Sequence, residues 1–156
     1  DLLDTAKQLD AYDSGRIYYY LGEYQKAYLA LDEARDKGGA DSYLYLGRAY
    51  AATGDYNYAS SVYNNYLSKQ GPNAEIYNEL GLCEMAKKEY QNALVAFQAG
   101  KQIEGNSLMQ TLCFNEIVAY EYLEDYQQAE VLMNAYLQNY PDDQTAIREQ
   151  QFLSTR

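Results

Sequence analysis

The chain has 156 residues, 47% of them hydrophobic, a formal charge of −11 and no histidine. That length and apolar content suffice for one continuous core. The negative charge argues against a nucleic-acid partner, and the missing histidine removes the commonest general base and metal ligand.

Apolar residues recur at helical spacing in paired runs. The spacing predicts helices near 4–20, 25–37, 41–52, 56–69, 74–86, 90–102, 108–122 and 126–139, and a last one near 143–153. No run approaches the roughly 18 to 20 apolar residues that span a bilayer. The two prolines, Pro72 and Pro141, each follow a predicted helix, and no Pro- or Ser-rich linker divides the chain. Residues 1–156 are therefore read as a single domain. A chain beginning at Asp1 without methionine is read as an excised or processed piece, so no signal or anchor is inferred or denied.

The pattern repeats. Tyr43-Leu44-Tyr45-Leu46-Gly47 returns 34 residues later as Tyr77-Asn78-Glu79-Leu80-Gly81. A small residue recurs at Ala27, Ala59, Ala93 and Ala129, each three residues after Tyr24, Tyr56, Tyr90 and Tyr126. An acid precedes each tyrosine: Glu23, Asp55, Glu89 and Asp125. There it can cap free amides and complement the dipole of a second helix. Gly22 and Gly54 suit a left-handed turn just before it. Lys88 and Glu124 take that place in the later copies and depart from the pattern.

These residues resemble the tetratricopeptide repeat (TPR) family over nearly the whole chain. The second copy matches with Tyr43, Leu46, Gly47, Tyr50, Gly54, Tyr56, Ala59, Tyr63 and Tyr66; the fourth, with Cys113, Glu116 and Ile117 in place of the large residue, Leu and Gly, is the most divergent. The resemblance implies an all-α, right-handed superhelix (α-solenoid) of four helix–turn–helix repeats, near 8–39, 40–73, 74–107 and 110–141. A C-terminal capping helix near 143–153 then shields the last repeat. It also implies that one stripe of each first helix lines a concave groove in which peptides or partner helices lie.

That stripe supplies the candidate binding residues: Tyr12, Arg16, Tyr19, Tyr20, Leu44, Tyr45, Arg48, Asn78, Leu82, Met85, Phe114, Asn115, Val118 and Tyr122. Arg16 and Arg48 take one slot in consecutive repeats and, flanked by tyrosines, suit a carboxylate or an aromatic side chain. Asn78 and Asn115 suit an extended peptide backbone. The competing reading pairs both arginines with Asp13 and Asp41 and leaves the tyrosines as cover for the core. The stripe has no lysine and carries Asp13, Asp41, Glu75, Glu79 and Glu121. This argues against the family variant that grips the acidic tails of chaperones.

Charge is uneven, with 8 acids against 2 bases in residues 107–156. That end reads either as a solvated surface or as one that steers a basic partner to residues 116–130 and 142–143. No catalytic, cofactor or metal site is expected: no phosphate loop, dinucleotide fingerprint or nucleophile elbow is present. Cys83 and Cys113 read as free thiols, which leans toward a reducing compartment without excluding an extracytoplasmic anchored form. The expected function is a non-catalytic protein-interaction scaffold or adaptor. The alternatives are a self-associating structural module, with a homo-oligomer as partner, and a regulatory or substrate-positioning arm of a longer enzyme or envelope protein.

Overall fold

A computed structural model describes residues 2–7 and 9–156. Among these lie ten helices and no strand: α1 (Leu2–Ala6), α2 (Ala11–Tyr20), α3 (Tyr24–Glu33), α4 (Gly39–Ala52), α5 (Tyr56–Gln70), α6 (Ala74–Ala86), α7 (Tyr90–Lys101), α8 (Met109–Tyr122), α9 (Tyr126–Asn139) and α10 (Gln144–Leu153). Each helix packs on its neighbour in sequence, so α2–α3, α4–α5, α6–α7 and α8–α9 form four helix pairs, capped by α10. In addition α2 touches α4 and α4 touches α6, whereas no pair of second helices packs as closely. First helices therefore line the tighter, concave wall of an α-solenoid.

The repeat pattern has a direct packing cause. A Cβ placed on Gly47 would lie 2.3 Å from the ring of Tyr63, one on Gly81 2.3 Å from Phe97, and one on Gly15 2.4 Å from Leu31. In the first three repeats the glycine of the first helix thus makes the hole for a large residue of its second helix. Tyr63, Phe97 and Leu31 are fully buried there, each contributing about 1.5–3 kcal/mol of transfer free energy. In the fourth repeat the same two slots hold Ile117 and Met133, both buried. The Tyr63 hydroxyl has no hydrogen-bond partner among the described residues, and burial pushes its pKa far above the ordinary phenol value.

Three expectations need correction. The helix predicted over 4–20 is two helices. Asp10 caps α2 by accepting from the Asp13 amide at 3.0 Å, and Ser14 Oγ donates to the carbonyls of Ala6 and Leu9, tying the end of α1 to α2. The helix predicted to reach residue 37 ends at Glu33, and a turn closes when the Lys37 amide bonds the Ala34 carbonyl. Only the aspartates of the four repeating acids cap by side chain: Asp55 and Asp125 accept from the amides of Tyr58 and Gln128, while Glu23 and Glu89 make no such bond. The extra methylene carries the glutamate carboxylate past the amide, and Glu23 pairs with Lys26 instead, at 3.1 Å.

The turns before the second helices share one backbone conformation despite their sequences. Gly22 and Gly54 have φ of 75° and 84°, and Lys88 and Glu124 adopt 64° and 62°. For the last two the left-handed conformation costs on the order of 1 kcal/mol, which the packing of α7 and α9 offsets.

Candidate partner-binding groove

The concave wall is built by one row of residues. The sixth slot of each repeat holds Asp13, Tyr45, Glu79 and Asn115, and Glu149 falls 34 residues after Asn115 on α10. From Tyr45 onward, each of these side chains reaches back to the preceding first helix. The groove floor is therefore a series of helix-to-helix junctions, and α10 occupies the position of another first helix.

At the α2–α4 junction the Tyr20 and Tyr45 hydroxyls lie 2.6 Å apart, and Tyr19 meets both rings edge-on at centroid distances of 5.5 and 5.4 Å. The Arg16 guanidinium sits between the rings of Tyr12 and Tyr45, 5.4 and 5.5 Å from their centroids, with Asp13 at 3.8 Å. At the α4–α6 junction Arg48 donates through both Nε and Nη2 to Glu79 Oε1, at 2.9 and 2.7 Å. At the α6–α8 junction Asn115 Nδ2 donates to Asn78 Oδ1 at 2.9 Å.

At the α8–α10 junction two carboxyl groups meet, Glu121 and Glu149. Burial, and then Glu149, push the Glu121 carboxyl up to about 7. Its Oε1 is shielded from solvent and has no hydrogen-bond partner among the described residues.

The candidate residues thus divide. Leu44 is 3% exposed and belongs to the core beneath the groove. Tyr12 covers Gly38, Met85 packs on the core cluster around Phe97, and Phe114 meets the ring of Tyr136 at 5.7 Å. Asn78 is buried and each asparagine satisfies the other, so only their remaining amide groups are open to a ligand. Arg48 pairs with Glu79 rather than Asp41, because the superhelix brings α6 against α4. Val118 is half-buried. Tyr20, Leu82 and Tyr122 stay open at 69%, 42% and 59% exposure, Tyr122 with its ring stacked on Tyr90 at 5.0 Å.

Two groups absent from the sequence expectation matter here. Glu149 escaped notice because α10 carries none of the repeat's landmark residues, although the 34-residue step from Asn115 pointed to it. Phe152 and Tyr126 form an aromatic wall beside the carboxyl pair, 6.5 Å apart. Tyr28 and Tyr58, outside the usual repeat slots, flank the Tyr50 ring at 4.3 Å each, away from the groove floor.

Both cysteines are free. The Cys83 thiol is pushed up to about 12 by burial and by Glu79 and Glu84, which makes it a core group rather than a nucleophile. Among the described residues no cluster of three or more metal-ligating side chains forms, and no helix is long and apolar enough to cross a membrane.

Comparison with known proteins places this geometry. Residues 12–59 and 114–143 each match a family model described as Tetratricopeptide repeat. No curated protein matches. Among solved structures, MamA (AMB-1) superposes with a TM-score of 0.73 at 23% identity, over 94% of this chain and 80% of that one. A MamA RS-1 double mutant gives 0.79 at 19%, over 100% and 85%. The second TPR domain of human RPAP3, in complex with the HSP70 peptide SGPTIEEVD, gives 0.66 at 17%, over 76% and 97%. At these identities the likeness is one of fold.

Proposed function

The chain belongs to the tetratricopeptide repeat family, and on that premise we propose that it is a non-catalytic interaction module whose concave groove takes up a segment of a protein partner. The observation that carries this is the row of exposed large side chains along the first helices. Tyr20, Leu82 and Tyr122 keep large exposed faces, Tyr20 with its hydroxyl on Tyr45, along a wall whose arginine and asparagines are paired across the junctions. Exposed tyrosines on a rigid surface supply contact area at low entropic cost and are enriched at binding hot spots. The pre-paired junctions hold the wall in place, so little ordering is needed on binding. The peptide in the RPAP3 structure supports the reading by analogy of fold.

The test is selection from a displayed random-peptide library against the wild-type chain. The selected peptides are then measured against a variant carrying Tyr20→Ala, Leu82→Ala and Tyr122→Ala. All three positions are exposed, so the variant keeps its fold. Loss of binding supports the groove. Unchanged affinity moves the interaction to another face and overturns it.

A further inference from the structure

The junctions of the groove are not chemically alike. Both arginines of the wall are spent: Arg16 between two tyrosine rings and beside Asp13, Arg48 on Glu79. What remains unpaired is negative. Asp41, Glu75, Glu121 and Glu149 form no ion pair among the described residues, and residues 107–156 carry 8 acids against 2 bases.

The α8–α10 junction concentrates this excess. Glu121 and Glu149 border a cavity of about 420 Å³ completed by Tyr122, Glu124, Tyr126 and Phe152. Glu121 Oε1 is shielded from solvent, and the Glu149 carboxyl faces that of Glu121 within hydrogen-bonding reach. The aromatic wall already accepts a cation: the Arg156 guanidinium lies 4.2 Å from the Phe152 ring centroid and 5.9 Å from that of Tyr126. The α4–α6 junction shows the completed form, with a guanidinium from one helix on the carboxylate of the next.

We propose that the α8–α10 junction seats an arginine or lysine side chain of the partner segment, gripped by the carboxylates of Glu121 and Glu149 and covered by Tyr122 and Phe152. This rests on the groove reading and names the chemistry of its ligand: a basic segment, drawn by charge complementarity to the acidic end of the wall. The groups facing Glu121 are Glu149 on α10, Tyr122 on α8, Glu124 in the following turn and Tyr126 on α9. In the free protein burial and the facing Glu149 raise the Glu121 carboxyl; an incoming cation offsets that repulsion.

The experiment uses the whole chain and three fluorescein-labelled peptides of equal length, alternating alanine with arginine, glutamine or glutamate, read by anisotropy at near-physiological salt. The arginine peptide is expected to bind and the other two to bind far more weakly. Glu121→Gln with Glu149→Gln should weaken the arginine peptide about tenfold. Glu33→Gln with Glu104→Gln, the same charge change at exposed positions elsewhere, should weaken it less than about twofold. Equal weakening by the two double variants would assign binding to diffuse charge and overturn the proposal, as would an arginine peptide no better than the glutamine one. Perturbation of the Glu121 and Glu149 backbone amides in NMR spectra gives an independent readout of the site. Library peptides that need Tyr20, Leu82 and Tyr122 but carry no basic residue would leave the groove standing and remove this inference alone.

Discussion

In the first three repeats the seam within each helix pair is a glycine against a large side chain: Gly15 on Leu31, Gly47 on Tyr63, Gly81 on Phe97. In the fourth it is Ile117 on Met133, both fully buried. The neighbouring slot changes as well. Leu46 and Leu80 point into the core of the second and third repeats, whereas Glu116 is buried in the fourth, accepting from Lys101 Nζ at 2.5 Å and Gln98 Nε2 at 2.9 Å. The fourth seam is filled from both helices, where the first three are filled from the second helix alone. Methionine, flexible and unbranched, fits the narrower hole that isoleucine leaves. The repeat is thus a constraint on a filled seam, not on particular letters.

The most severe way to break the comparison is Gly81→Ala. Its new methyl would meet the fully buried Phe97 ring, and the expected cost is about 2 kcal/mol after the gain in helix propensity. Ile117→Val, at the equivalent slot of the fourth repeat, should cost about 1 kcal/mol. Urea denaturation of both variants measures the difference. A nearly neutral Gly81→Ala would mean that Phe97 repacks freely and that the two kinds of seam are equivalent.

A smaller change sharpens the contrast between the second and third repeats. Tyr63 and Phe97 fill the same slot, but the tyrosine hydroxyl is buried without a partner. Tyr63→Phe should raise stability by about 1 kcal/mol, since the unpaired hydroxyl is removed and the ring retained. A loss of stability would show that the hydroxyl has a partner in solution.

The smallest expected effect lies at the α8–α10 junction. Glu121 has a folded-state value raised to about 7 from 4.5, so between those pH values the folded chain holds more proton than the unfolded one. Stability from this group therefore falls as pH rises through about 4.5 to 7 and is level above that window. Glu121→Gln should flatten this part of the thermal-stability profile. Solvent around the partly exposed carboxyl keeps the effect modest. An unchanged profile would show that neither burial nor Glu149 raises the Glu121 carboxyl.

Much of the architecture was legible along the chain. The period and the helix pairs are local facts, because helical geometry fixes which residues of one helix share a face. The left-handed turns were only half legible. Gly22 and Gly54 announce them, whereas Lys88 and Glu124 reach the same backbone under compulsion from the packing of the helices on either side.

By itself, the sequence determined an array of four helix pairs and its acidic, tyrosine-rich groove stripe. Only the tertiary structure decided which of those groove residues are free. It set Arg48 on Glu79 across 31 residues, Asn115 on Asn78 across 37 and Tyr20 on Tyr45 across 25, sank Leu44 into the core and brought Glu149 to Glu121. Sequence periodicity fixes the face of each helix, but the rise and rotation from one repeat to the next fix which rows meet. That superhelical step is set by the packing of all the pairs together.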